Sequence, residues 1–270
     1  MADVKKNNIS SAGDKQKKKR GLGAFFALLL ILCAAAAAVF AVIAVFKALF
    51  TENQRFGLQK VLVTGTGYWK NHPEKFARKI ELKKRTNLFK LDLKTVRRKT
   101  EKIPGIDSCS VMRILPDTLL FQVVERVPRA VLGSSNSPWL VDSNAIVMPR
   151  NQVMSKVRRL PTISGISLAG AKDGEPFSAV KTAVDLIMTA TRDFPDFTII
   201  QISLKNPDKM YVYLKYRRYP MYRVMLPVKH RGLKFELQVL QSAIINALKS
   251  GDRRTFYDMS YEGRVVIKTQ

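Results

Sequence analysis

Residues 22–46 read LGAFFALLLILCAAAAAVFAVIAVF, and this stretch divides the chain into two unequal parts. It contains no charged residue and no proline, and Gly23 is its one glycine. As an α-helix it would be roughly 37 Å long, whereas the hydrocarbon core of a bilayer is about 30 Å thick. The sequence therefore predicts a membrane-spanning helix between a short basic segment and a large body of mixed composition.

Two other structures could account for this apolar run. A buried core helix is disfavoured, because a soluble domain seldom contains so long an uninterrupted apolar segment. A cleaved signal peptide is the stronger alternative, since the alanines at 34–38 are small residues that a signal peptidase accepts. The run continues through Phe46, however, while an ordinary signal sequence has an apolar region of about 7–15 residues. We therefore predict a retained anchor over residues 21–48.

The charges on either side of the run predict its orientation. The segment 1–20 carries seven lysines and arginines against Asp3 and Asp14. Its last six residues, KQKKKR at 15–20, form a basic cluster. The cations after the run are sparser. Because cationic flanks stay on the cytoplasmic side, we predict a cytoplasmic N-terminus and a body on the periplasmic side of the inner membrane. We also expect the polar, lysine-rich segment 1–20 to be disordered.

The whole chain is strongly basic, with a formal net charge of +26 over 270 residues. In a soluble protein this excess would indicate a nucleic-acid-binding surface. Beyond the membrane no nucleic acid is available, so the anionic neighbours that remain are lipid head groups, cell-wall polymer and acidic proteins. An ordinary solvated basic surface accounts for the charge equally well. Cys33 and Cys109 lie in different parts of the chain, which predicts no disulfide framework.

The region 56–127 predicts a small α+β domain. A strand around Val61 ends at Gly65-Thr66-Gly67, and Asn71, with Pro73 and Glu74, resembles a helix start. Asp92 can cap a second helix up to residue 102. Two alternating runs, 106–115 and 118–126, flank the turn residues at 116–117 and predict a hairpin. Strand, helix, helix, strand, strand is the predicted order, with Phe76, Ile80, Cys109, Leu119, Phe121 and Val123 facing the core.

The region 128–270 predicts a second domain, a mixed and mainly antiparallel sheet with two helices. Short strands are expected at 130–132, 139–142 and 146–148, and longer ones at 199–204, 210–216 and 222–226. Helices are expected at 178–191, with Ser178 as the cap, and at 233–248. A last strand is expected at 264–268. The fold class is α+β.

Short motifs along the body resemble the bacterial cell-division family FtsQ, also called DivIB. The motifs read VLVTG at 61–65, NLFKLD at 87–92, IPGI at 103–106, LPDTL at 115–119 and VERVPRA at 124–130. They continue as WLVDS at 139–143, LPTISG at 160–165, YDMSY at 257–261 and VVIK at 265–268. Their order, after a single anchor, covers nearly all of the chain from residue 56 to residue 268.

The resemblance implies a POTRA domain beside the membrane, followed by the β-domain of the family. It implies a single-pass scaffold, found at mid-cell, that holds division proteins together and regulates septal wall synthesis. It also implies that the last strand and the turn before it bind the small coiled-coil proteins FtsB and FtsL, among other divisome membrane proteins. Carried over by position, the partner-binding residues are Tyr261, Gly263, Arg264, Val265, Val266, Ile267 and Lys268. Ser260 departs from the common pattern, in which an arginine precedes the tyrosine.

Elementary physics is compatible with that site. An edge strand has unpaired N–H and C=O groups to which an extended partner segment can add, and a tyrosine can act as an amphipathic anchor. The competing interpretation is that Val265 and Ile267 merely pack inward while the protein covers its own edge.

The residues favour no enzyme, no cofactor and no metal site. His72 and His230 lack metal-ligand spacing, and Cys109 is expected on a buried face, where a structural thiol is commoner than a nucleophile. The glycines at 65 and 67 are better explained by a tight turn than by a dinucleotide fingerprint. Another POTRA-bearing envelope protein, a translocation component, is the main alternative. It would need membrane-barrel strands that this sequence does not predict.

Overall fold

The computed structural model describes residues 12–153, 160–228, 232–261 and 265–268. Its contacts divide the chain into two compact units. The first contains the chain up to Gln59 together with Lys84–Leu91 and Leu115–Asp117, and the second contains the remainder.

A long N-terminal helix dominates the first unit. Helix α1 spans Ala12–Phe46 and continues as a π-helical turn over Lys47–Thr51. Its segment Phe25–Thr51 is long and apolar enough to cross a membrane, with a mean hydropathy of 3.0 and no buried residue. This agrees with a single candidate span. Residues 12–20, which we expected to be disordered, are helical, because nothing in this lysine-rich stretch interrupts a helix. Residues 1–11 lie outside the described part.

A three-stranded sheet and two helices follow in the predicted order. The elements are β1 (Lys60–Thr64), α2 (Pro73–Lys79), α3 (Leu93–Glu101), β2 (Ile106–Ile114) and β3 (Thr118–Glu125). Strand β3 is central, parallel to β1 and antiparallel to β2. Leu119, Phe121 and Val123 are buried on one face as predicted, and Phe76 of α2 lies 4.9 Å from Phe121 between ring centroids.

The two helix starts of this sheet differ in how well the sequence predicted them. Asp92 caps α3 as expected, accepting from the Lys94 N–H at 3.0 Å and from the Thr95 hydroxyl at 2.6 Å. Asn71 does not cap α2. It lies in a 3-10 turn, Trp69–Asn71, and the N-cap is His72, whose side chain makes no capping bond, while Pro73 occupies the first turn.

The larger sheet has nine strands in the order β12-β11-β10-β9-β8-β7-β4-β5-β6. Parallel pairs, β4 with β7, β7 with β8 and β10 with β11, interrupt the antiparallel pairing, so the sheet is mixed. Its strands are β4 (Ala130–Leu132), β5 (Trp139–Val141), β6 (Val147–Pro149), β7 (Thr162–Ser164), β8 (Phe197–Ser203), β9 (Lys209–Tyr216), β10 (Met221–Pro227), β11 (Phe256–Asp258) and β12 (Val266–Lys268).

Helices α4 (Lys181–Asp193) and α5 (Leu233–Lys249) contact each other and share one core with the sheet. The predicted helix positions Val180, Val184 and Ile187 are buried, as are Leu237, Leu240 and Ile244. Ser178 is not the cap, because a 3-10 turn over Ser178–Val180 precedes α4 and Val180 occupies the cap position without a side-chain bond. The sequence did not predict β7 or β11.

Candidate partner-binding surface

The predicted site residues divide into an exposed group and a half-buried group. Tyr261 is 56% exposed and Val266 is 39% exposed. Val265 and Ile267 are half-buried and pack against the main core of the large sheet. Lys268 ends the backbone of β12, and Gly263 and Arg264 lie outside the described residues.

Strand β12 lies at the end of the nine-stranded sheet. It is antiparallel to β11, where Tyr257 opposes Ile267 and Asp258 opposes Val266. Within the described ranges no strand pairs with the other side of β12. Ile267 packs inward, as the competing interpretation expects, and β12 is an edge strand of the kind to which an extended segment can add.

The turn before β12 is held by a buried carboxylate. Asp258 is fully buried, and its Oδ1 accepts from the Ser260 N–H at 3.0 Å and from the Ser260 hydroxyl at 2.6 Å. The Met259 N–H donates to the Met225 carbonyl at 2.9 Å. Ser260, where the family often has an arginine, therefore fixes the chain just before the exposed Tyr261.

A row of large side chains beside β12 was missed by our sequence reasoning. The Arg223 guanidinium lies 5.2 Å from the ring centroid of Tyr211 and 4.8 Å from that of Phe256. Phe256 opposes both Arg223 and Lys268 in the strand registers, so the row leads to the sheet edge. The alternating pattern of β9 and β10 could have placed Tyr211 and Arg223 on one face of the sheet. Phe256 was missed because its strand, β11, was not predicted.

A second arginine contacts the edge strand itself. Arg254 donates from Nη1 to the Ile267 carbonyl at 3.3 Å, and Asp252 holds the same guanidinium with bonds of 2.6 to 3.0 Å. This pairing lowers the pKa of Asp252 below its ordinary value, mainly through the hydrogen bond to Arg254. Arg254 thus links the entry of β11 to the last strand.

Comparison with known families identifies the smaller sheet. A family model described as the POTRA domain, FtsQ-type, matches residues 56–126, which contain β1, α2, α3, β2 and β3. The match confirms the FtsQ-type POTRA domain that the resemblance of the sequence motifs implies.

Three relatives named cell division protein FtsQ are similar to parts of this chain. The protein of Koribacter versatilis is 26% identical over 132 residues, which are 47% of this chain and 37% of the relative. That of Syntrophotalea carbinolica is 37% identical over 91 residues, 33% of this chain and 31% of the relative. That of Novosphingobium aromaticivorans is 38% identical over 56 residues, 21% and 18% respectively. The chain thus spans well under half the length of these relatives.

The groups that could have indicated catalysis are placed in structural roles. Cys109 is buried as predicted, and burial, followed by the nearby charge of Glu101, raises the pKa of its thiol to about 11. The thiol is therefore protonated at neutral pH and is a poor nucleophile. His72 is half-buried and stacks on Tyr68 with ring centroids 4.1 Å apart. His230 lies outside the described residues.

The glycines after β1 form a bend, as predicted. A Cβ on Gly67 would lie 1.9 Å from Oε2 of Glu125, whose carboxylate accepts from the Tyr68 and Trp69 N–H groups at 2.7 Å each. A side chain at position 67 would displace this carboxylate. The glycine is therefore required by packing.

Proposed function

We propose that this protein is a member of the FtsQ/DivIB family and a bitopic, non-enzymatic scaffold of the bacterial division machinery, which regulates septal cell-wall synthesis by binding other division proteins. The observation that carries the proposal is an FtsQ-type POTRA domain at residues 56–126, directly after one candidate membrane span. Three relatives carry the name cell division protein FtsQ, which supports the same role. In this proposal residues 1–20 are the cytoplasmic tail and residues 21–48 the anchor. Residues 56–127 are the POTRA domain, and residues 128–270 are the β-domain.

The partner-binding site in this proposal is the outer edge of β12 with the turn before it. Main-chain groups on the outer edge of β12 would bind an extended partner segment, and Tyr261 would supply an exposed aromatic anchor. By family resemblance, the partners are the FtsB- and FtsL-type membrane proteins. The half-buried side chains of Val265 and Ile267 would keep β12 packed on the core while the partner segment is bound.

The proposed location is the inner membrane, with a cytoplasmic N-terminus and a periplasmic body that gathers at mid-cell. The basic cluster at 15–20, immediately before the span, supports this orientation. The protonated thiol of Cys109 and the stacked His72 support binding rather than catalysis.

A fluorescent fusion of the full chain tests the role. In dividing cells of the source bacterium we expect a ring at mid-cell that disappears when the earlier division proteins are depleted. A uniform envelope signal throughout the cycle would refute the proposal. Because insertion alone gives envelope signal, this outcome separates a membrane protein from a division protein.

A tyrosine pair tests the proposed binding site. Tyr261→Asp should reduce capture of FtsB- and FtsL-type partners at least tenfold, because an anchor at an interface centre commonly contributes 2 kcal/mol or more, roughly. The matched control is Tyr219→Asp, since Tyr219 is also exposed, at 44%, but lies on the turn between β9 and β10. Equal capture by both variants would remove Tyr261 from the site.

A further inference from the structure

A cluster of four phenylalanines joins the end of the spanning helix to the segment Lys84–Leu91 of the first unit. Phe50 lies 5.0 Å from Phe46, 5.8 Å from Phe56 and 5.4 Å from Phe89, measured between ring centroids. Such apolar rings gain free energy when hydrocarbon or other apolar groups cover them instead of water. The cluster puts Phe89 and its neighbours at the level where α1 ends.

Hydrogen bonds hold the same segment against the end of the helix. The Asn87 side-chain amide donates to the Phe50 carbonyl at 2.8 Å and to the Asn53 carbonyl at 3.1 Å. Leu58 exchanges main-chain bonds with the segment, donating to the Thr86 carbonyl at 2.9 Å and accepting from the Arg85 N–H at 2.8 Å. These four hydrogen bonds, together with the ring contacts, hold the segment against the residues at and just after the helix end.

An open groove of about 740 Å³ lies on this part of the first unit. Its lining consists of Gln54, Gly57, Leu58, Gln59, Lys84 and Arg85. Both glutamines and both cations are exposed, and neither Lys84 nor Arg85 is paired with a carboxylate within the part of the chain that the structure describes. Two amides that can donate and two free cations are the chemistry that recognises a phosphate.

The charge around the groove has the same sign. Residues 47–59, 84–91 and 115–117 carry five lysines and arginines against Glu52 and Asp117. Lys47 and Glu52 are paired with each other at 3.6 Å. Two of the remaining cations, Lys84 and Arg85, line the groove itself.

We propose that this groove binds the head group of an anionic phospholipid in the leaflet where α1 ends. Lys84 and Arg85 contact the phosphate, Gln54 and Gln59 donate to its oxygens or to the glycerol, and the phenylalanine cluster lies against the upper acyl carbons. The proposal rests on α1 spanning the membrane and is independent of the role in division. The proposal gives a function to part of the net positive charge of the chain.

Lysine acetylation of the unaltered full chain tests the site. The protein is reconstituted in nanodiscs of phosphatidylglycerol or of phosphatidylcholine, and acetylation rates at Lys84 and Lys205 are measured by mass spectrometry. We expect Lys84 to react about fivefold more slowly in phosphatidylglycerol, because a cation near an anionic surface gains about that factor in binding. Lys205, an exposed lysine outside the groove, should react at the same rate in both. Equal rates at Lys84 in the two lipids would overturn the proposal.

A pair of double variants supplies the second measurement. Full-length K84Q/R85Q and the charge-matched control K205Q/R218Q are purified from mixed micelles, and the phosphatidylglycerol retained per chain is quantified. The first should retain at least about fivefold less lipid, and the control should resemble the unaltered protein. Equal retention by both, or an equal fall in both, would overturn the site. Thermal unfolding in neutral detergent identifies a misfolded variant, in which case the acetylation result decides.

Two further arms exclude other ligands and other failures. If soluble polyglycerol phosphate protects Lys84 in phosphatidylcholine nanodiscs as strongly as phosphatidylglycerol does, the ligand is a free polymer and the lipid assignment is wrong. If carbonate releases the chain from native membranes, the premise of a spanning helix fails and the lipid site fails with it. A missing ring at mid-cell with intact Lys84 protection would leave the lipid site standing and refute only the division role.

Discussion

Arg126 connects the POTRA hairpin to the first turn of the larger sheet. Its Nη1 donates to Asp107 Oδ1 at 3.0 Å and to Asp142 Oδ2 at 2.8 Å. Asp142 is buried, and its Oδ1 also accepts from the Asn144 and Ile146 N–H groups at 2.8 Å each. The VERVPRA motif thus carries a structural contact that sequence alone did not assign.

We expect Arg126→Ala to lower the free energy of unfolding by about 3 kcal/mol, because it leaves the buried Asp142 carboxylate without its cation. The matched control is Arg217→Ala, which breaks the exposed pair with Asp196 and should cost under about 1 kcal/mol. Urea denaturation of the full chain in micelles measures both. Equal losses would contradict the role of burial.

Tyr257 makes the protein sensitive to alkali. It is fully buried beside Tyr222, and burial raises the pKa of its hydroxyl to about 12. The charge of Tyr222 and that of Asp252 act in the same direction, while Arg254 opposes them. Because the folded state prefers the neutral phenol, this stabilisation is complete below the unfolded pKa of about 10 and is lost as the pH rises towards 12.

Unfolding measurements between pH 9 and pH 12 test this assignment. The unaltered protein should lose about 2 kcal/mol more than Tyr257→Phe does across that range. Tyr219→Phe, at an exposed tyrosine, should retain the full dependence. A Tyr257→Phe variant with an unchanged slope would assign the effect to other groups.

At the scale of elements, a carboxylate on a strand that is distant in sequence caps a 3-10 turn. The turn Trp69–Asn71 begins with two N–H groups bonded to Glu125 at the end of β3, more than fifty residues away in sequence. Asn71, which our local reasoning chose, does not act as a cap. Local patterns predicted Asp92 correctly because that cap lies within three residues of the groups it binds.

Gly67→Ala should therefore destabilise the POTRA domain by about 2 kcal/mol, the contribution of hydrogen bonds to a charged acceptor. The added Cβ would displace the Glu125 carboxylate. Gly170→Ala is the control, since its added Cβ meets Phe177 at an ordinary contact distance of 3.7 Å. Thermal unfolding of the two full-length variants should separate them, and equal midpoints would show that Glu125 can move without cost.

At the scale of the whole molecule, one candidate span precedes all of the sheet structure. The basic cluster lies before the span, so the predicted arrangement has the N-terminus inside. If so, protease added to intact spheroplasts should remove a C-terminal tag and leave an N-terminal tag protected. Lysed spheroplasts, in which both tags should be digested, are the control. A protected C-terminal tag would reverse the orientation and invalidate the scaffold proposal.

The sequence by itself determined the candidate span, the βααββ order and the buried faces of β3, α4 and α5. Each follows from a local hydrophobic period or from a short motif. The residues that form such a pattern lie within a few positions of one another in the sequence. The tertiary structure alone decided the strand order of the large sheet, including the three-residue β11 that β12 pairs with. It also brought Glu125 to the Trp69 turn, Arg126 to Asp142, and Lys84 and Arg85 to the residues 54–59 that follow the apolar helix. These contacts join residues that are far apart in sequence, so no local pattern records them.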